Sequence, residues 1–126
     1  MRTFALLGAV FGGVAVALGA FAAHALAARV EPRMLEVFET AARYQMFHAL
    51  ALFAVAWVGR ETRAASARLA GWAFVIGIVL FSGSLYAMVF SGVRALGMIT
   101  PLGGVAFIVG WLALAFACWR LHTPEH

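Results

Sequence analysis

The chain has no lysine, no aspartate and no asparagine, and it has one cysteine, Cys118. A single cysteine excludes an internal disulfide and a cysteine-based metal site. Charged residues make up 11% of the 126 positions, where a soluble domain carries roughly 25%. No GxSxG, phosphate-binding loop, CxxC or HExxH pattern occurs, so the common hydrolase, nucleotide, thiol-redox and zinc-protease signatures are missing. The residue pattern supports no catalytic site, no metal site and no cofactor. All nine basic residues are arginine and the net charge is +4. The arginines sit at the ends of apolar segments and not on one basic face, which fits lipid headgroups and argues against a nucleic-acid partner.

What the chain does have is apolar length. Hydrophobic residues account for 65% of it, against roughly 45–50% in a globular domain. A spanning helix needs about 20 predominantly apolar residues to cross a core of about 30 Å. Runs at 4–28, 69–90 and 99–119 satisfy this. The second run is too short from Met46, and counting back from Gly59 places its start at Thr40. The fold expected is therefore an all-α membrane protein, a single domain over residues 1–126 with four transmembrane helices in an antiparallel bundle (spans 4–28, 40–59, 69–90 and 99–119). The first run resembles a signal peptide, with Arg2 ahead of it and small residues near Ala23, Ala25 and Ala27. Its apolar stretch exceeds the 7–15 residues of such a signal, so a retained helix is expected.

Breaks between the runs are short. Pro32 suits the first turn of a helix, and Thr100-Pro101 reads as an N-cap followed by proline. The stretch 60–68 is a polar hinge with three arginines. Four spans place Arg2, Arg60, Arg63, Arg68 and Arg120 on one side and Arg29, Arg33, Arg43 and Arg94 on the other. That bias favours cytoplasmic termini, with Trp57, Trp72 and Trp119 as an aromatic belt on the same side.

Lipid gives helices no hydrophobic reason to associate, so small residues must allow close approach. Gly8 and Gly12 form a GxxxG frame in the first helix. Gly83 in the third and Gly110 in the fourth are further packing candidates. The Gly8–Gly12 stripe has two readings, packing within the bundle or contact with a second copy in a homo-oligomer or larger membrane complex.

The most polar stretch is 38–52, FETAARYQMFHALAL. It holds Glu39, Thr40, Arg43, Tyr44, Gln45 and His48 where the second span begins, and polar groups in a bilayer are costly. At helical spacing Glu39 and Arg43 form an i,i+4 pair near the interface. Tyr44, Gln45 and His48 lie on a neighbouring face, expected to turn inward toward His24 near the end of the first helix. One reading is a hydrogen-bonded polar plug that fixes how helices meet. Others are a lipid-headgroup or quinone pocket, a proton or ion relay through Glu39, His48 and His24, and a haem or metal held by the two histidines. No acidic residue lies deep in a span, which weakens the relay, and the two histidines sit at different depths, which weakens a shared metal. Ser82 and Ser84 are expected to return hydrogen bonds to their own helix. His122 and His126 read as tail bystanders.

Four ordered stretches resemble one family: GAFAAHAL at 19–26, FETAARYQMFHALAL at 38–52, FSGSLY at 81–86 and GVRALGMITPLGGVAFIVGW at 92–111. Together they resemble the DUF423 family of small integral membrane proteins, nearly end to end. Ala22 stands where many members carry glycine, a small-for-small change. The resemblance implies a four-helix membrane protein without an established biochemical role. The expectation is a small non-enzymatic protein of the bacterial inner membrane, structural, accessory or lipid-interacting. A small transporter or channel and a quinone- or haem-binding redox subunit are the alternatives.

Overall fold

The computed structural model describes residues 1–122; His126 and the side chain of His122 lie outside what is described. Five α-helices carry the fold: α1 (Arg2–His24), α2 (Pro32–Thr62), α3 (Ala65–Gly77), α4 (Gly83–Ser91) and α5 (Thr100–Trp119). Single turns at Leu26–Ala28, Arg94–Met98 and Arg120–His122 are 3₁₀. No strand occurs among the described residues.

Three helical segments are long and apolar enough to cross a membrane: Arg2–Ala28, Ala65–Ser91 and Arg94–Trp119. The expected second span, residues 40–59, falls inside α2 and is not among them. At 31 residues α2 is the longest helix, about 46 Å at 1.5 Å per residue. What sets it apart is polarity, since Arg43, Gln45 and His48 interrupt its apolar run.

Packing explains how α2 tolerates Gln45 and His48, while Arg43 stays exposed. Its buried positions, Phe38, Ala41, Ala42, Gln45, His48, Ala49, Leu52, Val55, Val58 and Gly59, recur every three or four residues along one stripe, with Ala51 beside it. That stripe meets α1, α3, α4 and α5, so α2 is the axis on which the others assemble. Two apolar clusters lie along it. One gathers Leu52, Val55 and Val58 with Phe4, Phe74, Phe107 and Leu114; the other joins Ala22, Leu26 and Phe38, with Tyr86 packed against them. Residues 41–48 of α2 form a polar layer between the two.

The elements begin and end for local reasons. Pro32 occupies the first turn of α2, and Glu31 before it is extended, at φ −61° and ψ 149°. Proline has no N–H to waste at that position and pre-sets φ. At its other end α2 stops at Arg63, held left-handed at φ 51°, with its N–H bonded to the carbonyl of Gly59. Glycine normally takes that position, and a left-handed L-residue costs about 1–2 kcal/mol. Thr62 completes the turn: its Oγ1 donates to the Val58 carbonyl at 2.8 Å and accepts the Ala64 N–H at 3.2 Å. Helix α4 also ends left-handed, but on Gly92 at φ 72°. The N-cap expected at Thr100 is not formed; Thr100 is already helical, and its hydroxyl instead meets Ser84.

The third apolar run is not one uninterrupted α-helix. Residues Ile78–Ser82 form a π-helical turn between α3 and α4. A π-turn inserts a residue into the helical repeat and rotates the later residues onto a new face. Here it directs Ser82, which is fully buried, at α2, where its Oγ donates to the Ala41 carbonyl at 2.7 Å. The expectation of a hydrogen bond back to its own helix holds for Ser84, bonded to the Phe81 carbonyl at 3.0 Å, and not for Ser82.

Small residues admit close approach at some of the expected positions. A Cβ on Gly8 would lie 2.9 Å from the Ala49 carbonyl oxygen of α2, and one on Gly110 would lie 2.6 Å from the Phe74 ring. Gly12 faces Ala49 and Met46 of the same helix at looser distances of 3.9 and 4.0 Å. The Gly8–Gly12 stripe therefore packs on α2 within the chain. Gly83 is different, for a Cβ there would meet nothing within 4 Å. The tightest backbone approach is at Gly103, whose added Cβ would overlap the Phe81 amide nitrogen in the π-turn.

Gly103→Ala and Gly83→Ala should therefore have opposite signs. The first forces α5 away from the π-turn, an overpacking cost of about 1–3 kcal/mol. The second gains about 0.5–1 kcal/mol from helix propensity. Unfolding titrations in mixed detergent micelles measure both, and equal destabilisation by the two would contradict the packing described.

Candidate functional site

The polar layer of α2 divides into two faces. Gln45, 3% exposed, points between α1 and α4. Its Nε2 donates to the Phe11 carbonyl at 2.9 Å, and its Oε1 accepts the Tyr86 hydroxyl at 2.8 Å. These partners fix the amide orientation, because a carbonyl can only accept and the Tyr86 proton needs an acceptor. One side chain thus ties three helices together. Phe38 and Tyr86 add a ring contact at 5.0 Å beside it.

His48, 4% exposed, lies on the other face, toward α5. Its Nδ1 is 2.7 Å from the Tyr44 carbonyl and its Nε2 is 3.1 Å from Nε1 of Trp111. A carbonyl only accepts and an indole N–H only donates, so the proton sits on Nδ1 and the Nε2 lone pair receives Trp111. Both nitrogens are used. The imidazole also lies flat on Phe107, with centroids 3.5 Å apart and planes 5° from parallel.

Tyr44 stands one turn before His48 and is 38% exposed. Its ring packs on Phe81 at 4.8 Å and on Phe107 at 6.4 Å. No hydrogen bond to its hydroxyl is formed among the described residues. Tyr44, His48, Phe81, Phe107 and Trp111 form the floor of an open groove of about 810 Å³ between α2 and α5. Its rims carry Phe47 and Leu50 on α2 and Val105 and Ile108 on α5, all 50–61% exposed. The lining is almost wholly apolar.

Two expected members of the cluster stay apart. His24 is exposed at the end of α1 and does not meet Tyr44, Gln45 or His48. The first helix ends there and Leu26–Ala28 turns away, so the side of α1 facing Gln45 is Phe11, more than three turns earlier. Glu39 is half-buried and Arg43 exposed, with no ion pair between them among the described residues. The inward face therefore comprises Gln45 and His48, with Tyr44 beside them in the groove wall. Nor does any group of three His, Cys, Asp or Glu among the described residues have the geometry to hold a metal ion.

Trp111 and Phe107 are the partners that sequence reasoning left out; the Tyr86 hydroxyl of FSGSLY was visible, but not its link to Gln45. A signal existed for Trp111. Tryptophan prefers membrane interfaces, and one placed in the middle of an apolar helix needs an acceptor for its N–H.

A long apolar helix set, a polar layer whose buried amide and imidazole are both paired, and an open apolar groove define a small integral membrane protein of helical type. The chain belongs to the family described as "Protein of unknown function (DUF423)", whose profile matches residues 18–104. It is 46% identical over 118 residues to the UPF0382 membrane protein YwdK of Bacillus subtilis (strain 168), covering 93% of this chain and 96% of that one. It is 42% identical over 120 residues to the UPF0382 membrane protein SAB0533 of Staphylococcus aureus (strain bovine RF122 / ET3-1), covering 95% and 98%. A UPF0382 membrane protein of Haemophilus influenzae is 43% identical over 113 residues, covering 89% and 90%. No solved structure matches the chain.

The Gln45–Tyr86 bond is testable by a double-mutant cycle of Gln45→Leu and Tyr86→Phe. Interhelical hydrogen bonds in membranes couple by about 0.6 kcal/mol on average and about 1.7 at most, and a coupling in that range is expected. Additive effects would show that the two side chains do not interact.

Proposed function

We propose that the protein is a non-enzymatic lipid-interacting membrane protein whose α2–α5 groove holds one hydrocarbon chain of a membrane lipid. In this reading α2 is the fourth span and the four spans form an antiparallel bundle in the bacterial inner membrane. Several contacts support that arrangement. The start of α1 meets the end of α2 at Met1–Gly59, and the end of α1 meets the start of α2 at Phe21–Phe38. Phe74 faces Gly110 while Phe81 faces Gly103, so α3 and α5 also run in opposite senses. The excess of arginine beside the termini favours their placement in the cytoplasm.

The groove carries the proposal. From Pro101 to Trp111 it follows eleven residues of α5, a rise of about 15 Å, which is half of a hydrocarbon core of about 30 Å. That is the depth of one leaflet. Its rim side chains continue the lipid-exposed flank of α2 and α5, so a chain can enter sideways from the bilayer. The floor makes no demand for a polar ligand, because both nitrogens of His48 are engaged. The Tyr44 hydroxyl supplies the one unused donor, suited to an ester carbonyl. A transporting role has less support: Leu52, Val55, Val58 and Phe74 are fully buried and fill the interior beyond His48. A bis-histidine cofactor site has less support too, since His24 and His48 do not face each other.

Gly104 allows a clean test. It lines the groove, and a Cβ there meets nothing within 4 Å, so Gly104→Leu fills the groove without disturbing the bundle. In liposomes containing a diazirine-tagged phospholipid, Phe47 and Ile108 should be labelled several-fold more than Val10 and Val14 on the exposed face of α1. Gly104→Leu should remove that excess and leave the thermal midpoint unchanged. Equal labelling of groove and α1 positions would end the proposal.

A further inference from the structure

At the end of the molecule away from the Pro101 mouth, α1 starts against the α2–α3 turn. A cleft of about 480 Å³ opens there, lined by Met1, Phe4, Gly59, Arg63, Arg68 and Trp72 among others. Two glycines let its apolar lining residues Met1 and Phe4 pack closely, Gly59 within the lining and Gly71 behind Phe4. A Cβ on Gly59 would overlap the Met1 side chain, and one on Gly71 would overlap the Phe4 ring. Phe4 in turn packs edge-on against Trp72 at 5.3 Å. One side of the cleft is thus apolar, and the exposed Arg63 and Arg68 add two guanidinium groups to its lining.

Three observations bear on those guanidiniums. Neither Arg63 nor Arg68 makes an ion pair among the described residues. Of the acidic residues described, Glu61 is the one near this end, since Glu31, Glu36 and Glu39 all lie in or beside the first turns of α2. Arg63 is the one non-glycine residue with positive φ among those described. Strain of that kind at a position glycine would fill without cost points to a use for the side chain. A second cleft of about 410 Å³ on the other side of Met1 repeats the pattern, with Arg2, Arg60 and Trp57.

We infer that the Arg63–Arg68 cleft is a binding site for a phosphate-bearing anion. Guanidinium forks match phosphate oxygens in pairs, and the apolar wall of Phe4 and Trp72 suits the glycerol and upper chain of a lipid behind such a phosphate. The shared chemistry is the phosphate, presented either on an anionic headgroup or free. The site is separate from the α2–α5 groove and does not depend on it.

The test uses the full chain in a neutral detergent, with binding followed by native mass spectrometry and by thermal midpoint. The probes are dihexanoyl-phosphatidylglycerol, dihexanoyl-phosphatidylcholine and inorganic phosphate. Phosphatidylglycerol should bind and raise the midpoint, phosphatidylcholine more weakly. Arg63→Gly removes a guanidinium while giving the turn the residue it favours, so the fold persists; its affinity should fall about tenfold, the loss of one charge-assisted contact. Arg68→Gln should act alike, and Arg33→Gln at the opposite end should not. Binding of inorganic phosphate in competition assigns recognition to the phosphate itself. Binding of phosphatidylglycerol alone assigns it to the lipid headgroup. Equal affinity for phosphatidylcholine, wild-type affinity in Arg63→Gly and Arg68→Gln, an equal loss in Arg33→Gln, or no binding at all would overturn the inference.

Discussion

A buried amide in an apolar molecule has to be satisfied by its neighbours, and Gln45 is that amide. Its two hydrogen bonds reach the backbone of α1 and the hydroxyl of α4. Left unpaired in hydrocarbon, each polar group would cost several kcal/mol. The register of α1 on α2 and of α4 on α2 is therefore set at this one level. The close contact at Gly8, one turn from Phe11, then lets α1 approach near enough for the amide to reach. Ser82 repeats the device from the π-turn, with its hydroxyl on the Ala41 carbonyl one turn before Gln45.

The same logic separates the two faces of α2. On the Gln45 face the polar atoms are consumed in hydrogen bonds between helices. On the His48 face Trp111 consumes the free nitrogen and Phe107 covers the ring. This leaves an aromatic floor under an open groove. One polar cluster in the sequence thus divides in two, hydrogen bonds between helices on one side and the floor of an open apolar groove on the other.

Much of the helical layout was legible because it depends on local rules. Apolar length marked α1, the α3–α4 segment and α5, Pro32 and Pro101 marked starts, and the arginine-rich stretch marked the α2–α3 turn. Long-range contacts were less legible. Gly8, Gly12 and Gly83 look alike in a helical pattern, yet two face α2 and the third faces open space. His24 and His48 look like a pair by residue type, but the 3₁₀ turn after α1 leaves His24 outside. The π-turn had no visible signature, since its residues, Ile78–Ser82, are as apolar as their neighbours. It exists where Gly103 lets α5 press against the Phe81 backbone.

By itself, the amino-acid order determined a helical membrane protein with an arginine bias and one polar stretch, because hydropathy and helix-breaking residues act over a few positions at a time. Tertiary structure decided which polar groups became partners. It made α2 the axis, paired Gln45 with Phe11 and Tyr86, seated His48 between Tyr44 and Trp111, and opened the groove beside them. Apart from the Tyr44–His48 bond within one turn, those outcomes depend on helix register and on groups 34 to 63 residues apart, and no local pattern carries that distance.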